Sequence, residues 1–197
     1  VQYILEGNVT RFLRGRWALT TVVTMLIILV IAVLLAGVVS YFAINVTSTR
    51  VQEESVQLSK QHIWYHPEAD FSSEAVILIT NTGGKDIAVQ KVTLRGQTVN
   101  WSTTYYVRGT FSLADAPFID NLTEGSPTIV PDGKGSYEPL VHVTGDIPLS
   151  SGESMLVYVK NPDSITVGDV GITVAINVYT MQAIYYKEAN VEIPVFP

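Results

Sequence analysis

The residues able to carry chemistry are few in this 197-residue chain, and they form no familiar catalytic set. His62 and His66 are four apart, a spacing that puts two imidazoles on one helix face and could hold zinc. The intervening glutamate of an HExxH motif is missing, Pro67 follows directly, and no third ligand is evident, so the pair reads as exposed residues near a helix end. His142 has no partner identifiable from sequence. Gly83-Gly84-Lys85-Asp86 lacks the first glycine and the hydroxyl residue of a phosphate-binding loop, and reads as a hairpin turn. Asp132, Lys134, Ser136 and Glu138 place a lysine where a calcium loop needs oxygen. No Gly-Xaa-Ser-Xaa-Gly elbow is present. The chain contains no cysteine, which removes disulfides, thiol chemistry and Cys-based zinc sites together. These residues point to no enzyme, metal or cofactor.

Modification is a better supported kind of chemistry. Asn45-Val46-Thr47, Asn100-Trp101-Ser102 and Asn121-Leu122-Thr123 fit the N-glycosylation acceptor pattern. Asn8-Val9-Thr10 fits as well, but it precedes the apolar segment described next and is expected to stay bare.

The elements that must position these residues differ sharply along the chain. Trp17 to Ile44 is a run without charge in which only Thr20, Thr21, Thr24 and Ser40 are polar. As a helix it is about 42 Å long, enough to cross a bilayer and longer than the core of a secretory signal. Arg11, Arg14 and Arg16 precede it, whereas Arg50, Glu53 and Glu54 follow with mixed sign, so the N-terminus is expected in the cytoplasm and the rest outside. Within the run, Ala32, Ala36 and Ser40 recur every four residues with Gly37 beside them, a small-residue stripe suited to close helix packing. Val51 to Ile63 lacks glycine and proline, and its composition predicts that the helix continues until Pro67 stops it near residue 66.

After Pro67 the pattern alternates. Strands are expected at Ala75–Thr80, Ile87–Leu94, Thr104–Phe111, Leu140–Thr144, Met155–Lys160, Gly171–Thr180 and Ile184–Ile193, with Ala114 to Tyr137 as a surface excursion. Seven short strands in about 130 residues imply an antiparallel, Ig-like β-sandwich over 67–197, and with the helix an α+β chain. The net charge of −6 becomes −8 from Trp17 onward, which argues against nucleic acid as the main partner. Hydrophobic residues make up 47% and charged residues 15%, an average over a lipid-like rod and an ordinary β head. So little surface charge would also be tolerated in acid, where carboxylates protonate.

In this layout, with a basic stretch ending Arg14-Gly15-Arg16, a long apolar helix from Ala18 to Asn45, and a β head in which Ile79-Thr80-Asn81-Thr82-Gly83-Gly84, followed by Ile87 and Val92, is similar to the first hairpin of many such heads, the chain resembles archaeal type IV pilins. The resemblance implies a leader over residues 1–16 that a membrane prepilin peptidase removes, after Gly15 or after Arg16. It further implies that the pilus assembly machinery moves the processed subunit from the membrane into a helical homopolymer, a cell-surface filament for adhesion or motility. Helices would form its core and heads, glycosylated where the sequons allow, its sheath. The competing expectation is a single-span surface protein whose Ig-like domain binds a ligand without polymerising.

Overall fold

A computed structural model describes residues 2–51, 53–66, 72–112, 114–125, 128–129 and 138–194, with side chains from Thr20 to Thr49 and from Glu53 on, save at 128–129 and 138. The chain divides into two units, Val1–Arg50 and Val51–Pro197.

The first unit is one helix, α1, Gln2–Val51. Its segment Thr20–Thr49 has a mean hydropathy reaching 3.2 and is exposed throughout. By length and composition it could cross a membrane. Two of its hydroxyls bond back to the helix: Thr24 donates to the Thr20 carbonyl and Thr49 to the Asn45 carbonyl, each at 2.9 Å. Such back-bonding satisfies a hydroxyl without water.

The second unit is mostly sheet. Its strands are β1 (Val56–Tyr65), β2 (Ser73–Asn81), β3 (Ile87–Leu94), β4 (Gln97–Thr98), β5 (Thr104–Gly109), β6 (Thr128–Ile129), β7 (Glu138–Pro139), β8 (Val141–His142), β9 (Ile147–Leu149), β10 (Ser154–Lys160), β11 (Thr173–Thr180) and β12 (Ile184–Glu192). Ten of them form one curled sheet in the order β4-β3-β11-β12-β1-β2-β10-β5-β8, with β9 beside β3, while β6 and β7 pair separately. All pairings are antiparallel except β1 with β12, which run parallel at Ile63–Val191 and Trp64–Glu192. The sheet is therefore mixed, because the first and last long strands meet side by side in the same direction.

One apolar cluster fills the inside of the curl. Ala75, Ile77 and Ile79 of β2, with Met155, Val157 and Val159 of β10, share it with Val92 and Leu94 of β3 and Val174, Ile176 and Val178 of β11. Their alternation along each strand is what half-buried strands require. In β3 the inward set changes phase: Ile87 and Val89 point in, then Val92 and Leu94. The register against β11 skips Gln90 at that place, as a bulge does.

A second cluster covers the other face of the β1-β2-β10-β5 half. Trp64, Val76, Leu78, Val107, Leu156 and Tyr158 pack there with Ala116, Ile119, Leu122 and Leu140. The expected surface excursion is thus partly core: its segment 114–125 lays three apolar anchors, Ala116, Ile119 and Leu122, on the sheet. This leaves β2 buried on both faces.

The main correction concerns residues 51–66. The helix stops at Val51, and Val56–Tyr65 is strand β1 instead of a helical extension. A bulge between Ser59 and His62, with Lys60 at φ 52, puts Leu58 and Ile63 on the same inner face although they are five apart. The bulge hides the period of two, and pairing with β2 and β12 overrides a weak helical propensity. The other expected strands form within two residues of their expected ends.

Candidate functional site

Ala32, Ala36 and Ser40 fall on one face of α1, because residues four apart stack along a helix, and Gly37 lies at its margin. All four are exposed, and a Cβ built on Gly37 meets nothing within 4 Å. The stripe is flanked by Val33, Leu34, Leu35, Val38 and Val39, each at least 60% exposed. An apolar surface so extended needs lipid or other apolar chains around it. Gly15 and Arg16 lie within the helical backbone of α1, and the side chain of Arg16, like those of Asn8, Arg11 and Arg14, falls outside the described ones.

The three sequon asparagines occupy different settings. Asn45 is inside the apolar stretch of α1, where its carbonyl receives the Thr49 hydroxyl. Asn100 is exposed and caps the 3-10 turn Trp101–Thr103, its Oδ1 accepting the Ser102 N–H at 3.0 Å. Asn121 is exposed on the turn between Asp120 and the fully buried Leu122.

The histidines have other roles than the helical spacing suggested. His62 lies in β1, stacks on Trp64 with ring centroids 5.0 Å apart, and its Nε2 bonds Oδ1 of Asp115 at 2.7 Å. Oε2 of Glu192 is 3.9 Å from the other ring nitrogen. His66 is near the Phe118 ring, and Nε2 of His142 bonds the Ser102 carbonyl at 3.0 Å. Among the described residues no three His, Asp or Glu side chains have the geometry to hold a metal ion. Asp132, Lys134 and Ser136 lie outside the described residues. Gly83 and Gly84 lie in the turn between β2 and β3, but those strands are not paired with each other, so the run is a crossing between the two halves of the sheet and not the expected hairpin turn.

Sequence reasoning missed Glu74. Near the start of β2 it is wholly buried, facing Asp120 of the excursion and Lys160 and Tyr158 of β10. Burial pushes its carboxyl up to about 9, against the opposing effect of the Ile119 N–H bond. It is therefore protonated at neutral pH. Nearby, Tyr158 donates to the Pro117 carbonyl at 3.1 Å and Lys160 to the Leu122 carbonyl at 3.2 Å. Together these contacts hold the excursion over the second cluster.

Comparison with family models found no match, and comparison with curated proteins found none. A solved family 123 glycoside hydrolase from Clostridium perfringens, described in a study of glycolipid glycan hydrolysis, is similar at a TM-score of 0.33 and 13% identity. The match covers 73% of this chain and 28% of that one, so the chain spans little more than a quarter of that structure. A likeness so distant carries no argument about activity.

Proposed function

We propose that the chain is the structural subunit of a cell-surface filament, an archaeal type IV pilin polymerising through α1, and that its β unit is an Ig-like sandwich head. The observation that carries the reading is Thr20–Thr49, a thirty-residue and strongly apolar segment, uniformly exposed, with a small-residue face. A rod of this kind rests in lipid until it is extracted, and it then needs neighbouring rods as its new apolar environment. Ala32, Ala36, Gly37 and Ser40 allow those rods to approach closely. Arginines at 11, 14 and 16 would be costly in such a core, so removal of the leader after Gly15 or Arg16 is a physical requirement of the reading. The partners are other copies of the chain, a prepilin peptidase and assembly machinery, and the membrane before assembly.

Supporting the Ig-like reading is the strand order. The halves β1-β2-β10-β5 and β12-β11-β3 follow the ABED and GFC sequence of that fold.

Substituting Ala32 or Ala36 with glutamate should abolish filaments while leaving the membrane-inserted subunit at its usual level. Filaments of normal length and number from either variant would overturn the core-helix reading. A permanently anchored surface module is the second reading, favoured by the three arginines that sequence places before the span. N-terminal sequencing of surface protein separates the two. A start at Arg16 or Trp17 in sheared filaments supports the pilin, and retention of Arg11 and Arg14 in cell-bound material supports the anchor.

A further inference from the structure

Asn100 is held in a conformation that leaves its reactive nitrogen available. Its backbone carbonyl accepts the Thr103 N–H, the Thr103 hydroxyl and the Thr104 hydroxyl at 2.9–3.1 Å, and its Oδ1 accepts the Ser102 N–H. The side-chain Nδ2, by contrast, has no hydrogen bond to another described residue.

A cavity of about 170 Å³ opens beside it, between the 97–103 loop and the turn that follows β10. This is smaller than the ~300–1,000 Å³ of ordinary small-molecule pockets and suits one ring rather than an extended ligand. Val99 and Pro162 are buried at the cavity and supply apolar surface. Gln97, Thr98, Asp163 and Ser164 add an amide, two hydroxyls and a carboxylate, none of them hydrogen-bonded to another described side chain or backbone group. A sugar ring has the matching character, with C–H faces and a rim of hydroxyls.

We propose that Asn100 carries an N-linked glycan whose first sugar occupies this cavity. The glycan comes from a lipid-linked saccharide. Nδ2 of Asn100 forms a bond to the anomeric carbon and loses a proton to the transferring enzyme, while the bond from that carbon to the lipid phosphate breaks and the phosphate leaves with the electron pair. Once attached, the sugar packs its C–H face on Val99 and Pro162 and exchanges hydrogen bonds with Asp163 and Ser164. Asn45 differs, because it sits in an apolar helix. The proposal rests on export of the β unit, which both readings above share, and it does not require polymerisation.

The test uses full-length protein purified from its own cells, with protease accessibility on intact cells measured in parallel. Mass analysis should find a saccharide on the peptide containing Asn100, and Asn100→Gln should remove it. Hydrogen exchange should be several-fold slower at 97–100 and at 161–164 in the glycosylated protein than in Asn100→Gln. Asp163→Ala should keep the saccharide but restore fast exchange at 161–164. An unmodified Asn100 on protease-accessible protein overturns the site. A modified Asn100 that leaves exchange at 161–164 unchanged overturns the seat. An unmodified Asn100 on protein shielded from protease overturns the proposal through failure of export, and that outcome is separable from any result on filament assembly.

Discussion

The backbone N–H of Ile119 donates to Oε1 of Glu74 at 3.3 Å, joining a loop to a carboxyl group that has no exposure to water. The other oxygen, Oε2, has no hydrogen-bond partner among the described residues. A buried acid in this position keeps its proton to about pH 9, whereas the unfolded chain releases it above about 4.5. Between those values the unfolded state binds fewer protons, so this group's contribution to stability is greatest in acid and declines as pH rises, by about 1.4 kcal/mol per pH unit at most. Glu74→Gln keeps the shape and cannot ionise. Its melting temperature should therefore fall less than that of the wild type between pH 5 and pH 8. Parallel melting curves across that range would show that Glu74 does not titrate as described.

Gly83 is where the turn after β2 meets the chain just before β1. Its N–H and that of Thr82 both donate to the Ser55 carbonyl, at 3.0 and 2.9 Å. A Cβ there would be 2.7 Å from the Glu53 carbonyl oxygen and 2.7 Å from the Ser55 nitrogen, both backbone atoms that cannot swing away. Gly83→Ala should lower stability by about 1–3 kcal/mol, the usual range for overpacking. Gly145→Ala, whose added Cβ meets nothing within 4 Å, is the control and should be close to neutral in chemical denaturation.

Asp169 joins two distant turns. Its Oδ2 accepts from the hydroxyl and backbone N–H of Thr166, each at 2.8 Å, and its Oδ1 pairs with Arg95 at the tip of the β3–β4 hairpin. The tip is tight: Arg95 and Gly96 both have positive φ, as a type I′ turn requires. The Thr166 bonds, followed by Arg95, hold the carboxyl below the usual range. Stability from this group is thus present above the unfolded value near 4 and is lost as pH falls through the lower folded value. Asp169→Asn should lower the melting temperature at pH 7, and the gap to the wild type should close toward pH 2. A gap of equal size at both pH values would argue for a role independent of charge.

The legible parts of the fold are those in which period or composition is clear. Thr173–Thr180 reads as a strand because buried Val174, Ile176 and Val178 alternate without interruption, and Ile87–Leu94 because β-branched residues make up half of it although a bulge breaks its period. Strand β1 was hidden by its bulge, which changes the parity between Leu58 and Ile63. Strand β9 was hidden by brevity and by Pro148 within it. The proline-rich excursion looks solvated in sequence, and only contact with Val76, Leu78 and Leu156 makes Ala116, Ile119 and Leu122 core residues. Glu74 illustrates the deepest limit. A glutamate at the start of a strand looks like any surface acid until a loop distant in sequence covers it. The cavity beside Asn100 was illegible for the same reason, since its two walls are about sixty residues apart.

At one end of the ten-stranded sheet the edge is β8, of two residues, and at the other it is shared by β4 and β9, of two and three residues, both beside β3. A long edge offers an incoming chain a row of unpaired N–H and carbonyl groups, and a very short one offers almost none. Among the described residues, the short edge strands of this domain offer little template for one sheet to grow into the next. Order among neighbours and freedom from runaway strand addition are thus compatible in the same molecule.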